Sequence, residues 1–152
     1  MSMPETRSLQ RQQVLSVGPE RAFKLLITPS DIRGWWGVNR AIVQPEQGGI
    51  WAAVWGENED DPDFITIATM RIFEPPKRIL LTDYKYTAKT GPLPFKAELS
   101  LEFTVSPHAE GALIKVNNAG FPCDPIADAF FEGCHVGWTN THDSMQKYAA
   151  QL

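Results

Sequence analysis

Apolar residues recur along this chain with two different periods, and the two periods lay out the elements. The longer one marks the C-terminal segment, where Ala127, Phe131, Cys134, Trp138, Thr141, Met145 and Tyr148 fall in one band of a helix. Glu132, Thr139, Asp143 and Lys147 occupy the opposite side. Asp124 is a natural N-cap, Pro125 suits the first helical position because its missing N–H has no helical partner, and Asp128 lies near the positive end of the helix dipole. A helix from there to about Ala150 would be roughly 40 Å long at ~1.5 Å per residue, enough to cross a whole sheet. Gly133 and Gly137 interrupt it one turn apart beside the band. Close helix-to-sheet packing is the ordinary reason for such glycines, and room for a ligand against bare backbone is the sharper one.

The shorter period is clearest over 97–105, where Leu99, Leu101, Phe103 and Val105 alternate with Glu98, Ser100, Glu102 and Thr104. Similar signals predict strands over 12–17, 38–43, 49–55, 64–73 and 77–86, and at Ala112, Ile114 and Val116. Trp51, Ala53 and Trp55 share a face, and Thr66, Ala68 and Met70 point inward if Arg71 points out. Between the first two strands, Pro19 opens a short helix over 19–27, Pro29 ends it, and a second helical turn from Ser30 delivers Trp35 and Trp36. The order is strand, two short helices, six strands, long helix. Hairpin-length connections make the sheet antiparallel and the fold α+β, and strong curvature of the sheet would leave a volume under the long helix.

Composition narrows the classes. A chain of 152 residues fits one domain, over 12–152, preceded by a polar stretch without period, 1–11, that is expected to be a disordered tail. A net charge of -4 and the lack of any basic run argue against nucleic acid, and nothing approaches the length of a membrane span or a signal peptide. A cytoplasmic protein is the expectation. Cys123 and Cys134, eleven residues apart, would be separated by about 15 Å of helix rise and cannot form a disulfide. The acidic run GENEDDPD ending at Asp63 is a solvated hairpin loop, because the positions that a calcium loop gives to Gly and Glu hold Pro62 and Ala68. His135 and His142 are seven residues apart without a zincin Glu, so neither a metal nor a cofactor is expected.

The segments GPERAFKLLITPSDIRGWWG, GGIWAAVWG and MRIFEPPKRILLT, followed by a C-terminal helix containing Gly137-Trp138, resemble the START-like helix-grip (SRPBCC) superfamily. Within it they look most like homologues of the activator of the heat-shock-protein-90 ATPase, over about residues 12 to 150. The resemblance implies a curved seven-stranded antiparallel sheet wrapped around the long helix, with a hydrophobic cavity between them. The eukaryotic co-chaperone of this family engages its chaperone through a separate N-terminal domain, for which this chain has no room, so co-chaperone activity is not expected.

Three functional readings follow. The first is binding of a small hydrophobic or aromatic molecule, lipid or polyketide-like, in a pocket formed by Trp35, Trp36, Trp51, Trp55, Met70, Leu81, Phe103, Cys134 and Trp138. The second is a cyclase, dehydratase or hydrolase, with Asp83 facing the cavity as general acid or base and His142 assisting. The ordinary reading of both is a solvated Asp83 and a His142 on a partly exposed helix flank. The third is a chaperone-accessory or other interaction module. Ile65 and Ile67 point outward if Thr66 and Ala68 point in, and a homodimer would cover that face.

Overall fold

The computed structural model describes residues 5–152. The chain forms β1 (Thr6–Leu15), α1 (Pro19–Ile27), α2 (Pro29–Trp36), β2 (Arg40–Val43), β3 (Ile50–Trp55), β4 (Phe64–Glu74), β5 (Arg78–Ala88), β6 (Ser100–His108) and β7 (Gly111–Pro122), then a 3-10 turn (Pro125–Ala127) and α3 (Asp128–Ala149). All seven strands join one antiparallel sheet in the order β1-β7-β6-β5-β4-β3-β2. The α+β helix-grip architecture is therefore present, with both short helices following the first strand.

Each helix starts where the sequence provides a start. Pro19 and Pro29 open α1 and α2, and the Asp124 side chain accepts from the Ile126 N–H at 3.0 Å. The first turn after Asp124 is 3-10, so the α-helix proper has 22 residues and spans about 33 Å, shorter than the predicted 40 Å. Gly37 ends α2 in the left-handed region, at φ 72°, which turns the chain out towards β2 without a Cβ clash.

The core lies between the inner face of the sheet and the three helices. Ala22, Phe23, Leu25 and Leu26 of α1 meet Leu101, Phe103, Val105, Ile114 and Val116 of the sheet in one buried cluster. The α3 helix rests on β1 at one edge of the sheet and on α2, and it stands off from the strands between. That arrangement leaves the volume described below.

The strand over 12–17 requires correction, because β1 begins at Thr6. Residues 6–11 look like tail in the sequence because they are mostly polar and carry no apolar period. Leu9 is the one residue of this segment buried in the core, and the arginines on either side of it are held by α3. Arg7 pairs with Asp128 at 2.5 Å and lies over the Phe131 ring at 4.4 Å, and Arg11 reaches His135 Nδ1 at 3.2 Å. With backbone pairing to β7, these contacts order a strand that hydrophobicity does not mark. The remainder of the tail reading, residues 1–4, lies outside the described residues.

The strand over 97–105 also shifts, starting at Ser100. The most consequential departure is a pair of bulges in β4 and β5. From Ile67↔Lys85 to Thr69↔Thr82, β5 contains one residue more than β4, and from Met70↔Leu81 to Ile72↔Leu80 the surplus lies in β4. The two irregularities compensate in register, and each changes which residues face inward. Among the described residues no helix is long and apolar enough to cross a membrane.

Candidate functional site

A cavity of about 600 Å³ opens between α3 and the inner face of the sheet. From the sheet side, Trp55 of β3, Phe64 and Thr66 of β4, and Tyr84 and Tyr86 of β5 form its wall, joined by Leu99 and by Asn118 and Phe121 of β7. Trp36 closes it from α2. The α3 face contributes Phe130, Cys134, Trp138 and Thr141, with Gly133 and Gly137 between them. A volume of this size is within the range of small-molecule pockets, and its lining is largely aromatic.

The structure removes one of the two roles that the sequence offers for Gly133 and Gly137. A Cβ built on either Gly133 or Gly137 would have no neighbour within 4 Å, so these residues do not serve close packing. They leave bare helix backbone along the cavity. Gly34 is the glycine that does serve helix packing, since a Cβ there would collide with the Tyr148 ring.

All five tryptophans gather around one of their number. The Trp36 ring lies 4.9 Å from Trp35, 5.5 Å from Trp51, 5.6 Å from Trp55 and 5.3 Å from Trp138, measured between centroids. Such offset and edge contacts are favourable by about 1 kcal/mol each beyond simple burial. The cluster divides by role. Trp35 is core, with its indole N–H donating to the Leu25 carbonyl at 2.7 Å, and Trp51 is equally buried beneath Trp36. Trp36, Trp55 and Trp138 face the cavity. The Trp138 indole donates to Asn118 Oδ1 at 3.3 Å, and Asn118 Nδ2 donates to the Ser100 carbonyl at 2.9 Å, which satisfies the polar atoms behind the wall.

Of the residues read as pocket from the sequence, the structure brings Trp36, Trp55, Cys134 and Trp138 to the wall. Met70, Leu81 and Phe103 are fully buried beside it, like Trp35 and Trp51. Phe103 supports the wall from behind, edge-on to Trp138 at 6.0 Å. Tyr84, Tyr86, Phe64, Phe121, Phe130 and Asn118 were not foreseen. Tyr84 and Tyr86 were missed for an identifiable reason. A strand that keeps one phase from Ile79 and Leu81 would turn Asp83 inward, but the bulge at Asp83, with φ 53°, turns both tyrosines in instead.

Asp83 accordingly projects to solvent, 62% exposed, with Arg71 Nη2 3.5 Å away. It does not face the cavity. His142 corrects the sequence reading in the other direction, because it is buried rather than on an exposed flank. Its ring lies 6.0 Å from that of Trp138, and its Nε2, like Oε1 of buried Gln13, has no partner. Burial holds its pKa below the ordinary value, Arg11 acts in the same direction, and Asp143 opposes. Asp83 is thus on the surface and His142 in the interior, and neither lines the cavity.

The titratable groups that do line the cavity are shifted further towards their neutral forms. Burial pushes the Tyr84 phenol up, with the Thr66 side chain opposing, and Tyr86 shifts the same way. Burial pushes the Cys134 thiol up to about 11, which disfavours nucleophilic chemistry there. Cys134 and the exposed Cys123 are both free.

The family model described as activator of Hsp90 ATPase homolog 1-like protein matches residues 16–150. The chain belongs to that family. Solved structures agree on the fold. A protein of Mesorhizobium loti superposes with a TM-score of 0.78 at 18% identity, covering 96% of this chain and 98% of that one. A member of the same family from Silicibacter pomeroyi gives 0.71 at 18% identity, over 95% and 99%. DynU16, a protein of the dynemicin biosynthetic locus, gives 0.71 at 13% identity, covering 93% of this chain and 46% of its own. A comparison with curated proteins finds no match.

Proposed function

We propose that this member of the family binds a small hydrophobic or aromatic molecule in the cavity between sheet and α3. The observation that supports this most directly is the pair Gly133 and Gly137. They leave open space on the cavity side of a helix, where alanine would make the helix more stable by about 1 kcal/mol at each position. An aromatic wall with few polar groups is suited to lipid or polyketide-like compounds, and one fold relative comes from a biosynthetic locus.

A thermal-shift screen against fatty acids, aromatic metabolites, flavonoids and polyketide-like compounds tests the reading, because binding to the folded state alone raises Tm. A dose-dependent shift for one chemical class is expected. Gly137→Leu should raise the Tm of the protein by roughly 3 °C through helix propensity and abolish that shift by obstructing the cavity. A ligand shift that survives Gly137→Leu would place binding elsewhere.

The enzyme reading has less support, since Asp83 and His142 are both off the wall. An interaction role is favoured by no feature of the cavity itself.

A further inference from the structure

We propose that the cavity selects by charge, accepting uncharged ring systems and rejecting the carboxylate or sulfonate counterparts of the same skeleton. The proposal rests on the ligand-binding reading above and narrows its chemical class. Among the described residues, no Asp, Glu, Lys, Arg or His side chain lines the wall. The ionisable groups present are two phenols and a thiol, neutral at pH 7 by their ordinary chemistry, and burial moves them further from ionisation.

An anion entering this space would exchange its hydration for aromatic rings and a few neutral hydroxyl and amide groups, with no cation to receive it, and that exchange is unfavourable. The positive end of α3 offers little compensation. The 3-10 turn before it uses the Ala127 N–H, which donates to the Asp124 carbonyl at 2.9 Å, and Asp128 already places a carboxylate in its first turn. Arg7, which reaches that end, is already paired with Asp128. A cationic ligand would find ring faces but no carboxylate on the wall. The polar groups available to an occupant are the hydroxyls of Thr66, Tyr84, Tyr86 and Thr141 and the Asn140 amide. These are suited to the carbonyl and hydroxyl groups of a neutral polycyclic compound.

Two fluorescent probes that share a skeleton and differ by one sulfonate provide the test: N-phenyl-1-naphthylamine and 8-anilinonaphthalene-1-sulfonate, titrated into the full chain at pH 7. The neutral probe is expected to bind saturably and at least about tenfold more tightly than its sulfonate, the direction set by anion desolvation. Its binding should be lost in Gly137→Leu and in Gly133→Leu, with circular dichroism verifying the fold of each. Thr141→Lys, which puts an ammonium group on the wall, should narrow the gap between the probes. Equal affinities for both probes, each abolished by the glycine variants, would overturn the charge rule and leave the cavity reading standing. Binding of neither probe, or binding that both glycine variants retain, would overturn the cavity reading and the charge rule with it.

Discussion

Asp31 shows how one side chain ties the three helices together. It lies at the start of α2, accepts two hydrogen bonds from Arg21 of α1 at 2.8 and 3.0 Å, and accepts a third from the Tyr148 hydroxyl of α3 at 2.5 Å. The hydrogen bond from Arg21 is the main cause holding its carboxyl below the ordinary pKa, Tyr148 acts in the same direction, and burial opposes. A carboxyl whose folded pKa is depressed contributes stability that is complete above its unfolded value and is lost as pH falls through the folded one. Asp31→Asn should therefore cost about 2 kcal/mol near neutrality, the scale of charge-assisted hydrogen bonds. The gap to the natural protein should shrink as pH falls below the ordinary aspartate value of about 4 and on through the lower folded one. Urea unfolding at pH 7 and pH 2.5 measures both, and a gap that stays constant with pH would remove the charge from the explanation. Tyr148 was legible in the sequence as part of the apolar stripe. Its link to Asp31 was not, because the partners are separated by most of the chain.

At the scale of elements, the bulge at Asp83 decides what the cavity contains. The left-handed backbone there suits Asp, Asn or Gly and penalises β-branched residues. Asp83→Gly is expected to leave stability and ligand binding near those of the natural protein. Asp83→Val should lose about 2 kcal/mol from backbone strain and weaken binding, as Tyr84 and Tyr86 are drawn off the wall. Denaturant unfolding and ligand titration on the same two variants check this, and equal behaviour of the two would mean that the bulge is not what sets the phase. Alternation alone cannot reveal a phase change within a strand, which is why β5 was assigned correctly as an element and incorrectly by face. The long helix, by contrast, has one unbroken stripe, and its cavity-facing residues Cys134 and Trp138 were readable directly. The order of β1 was hidden for a different reason, since polar anchors such as Arg7 and Arg11 carry no periodic signal.

For the whole molecule, the helix-grip arrangement was legible because alternation, turn residues and the C-terminal stripe all point to it. The depth of the cavity was not, because it depends on how far α3 stands off from the sheet. The outer face carries a second feature that the sequence indicated. Of the two isoleucines it marks, Ile65 is half-buried and Ile67 is 44% exposed. Ile42, which it does not mark, is 62% exposed and lies with Ile67 on either side of Ala52 through the pairings Ile42↔Ala52 and Ala52↔Ile67. If two copies cover this strip, the natural protein should sediment as a larger species than Ile67→Asp. Monomer-sized sedimentation of both would remove the dimer.

Whether the cavity receives a ligand is reported by the five indole N–H signals in a single two-dimensional 1H–15N spectrum. On titration with N-phenyl-1-naphthylamine, the signals of Trp36, Trp55 and Trp138 should move in a saturable manner. That of Trp35, held by the Leu25 carbonyl on the far side of Trp36, should move least. No movement of any of the five at saturating probe, or movement of Trp35 ahead of Trp55 and Trp138, would contradict the account.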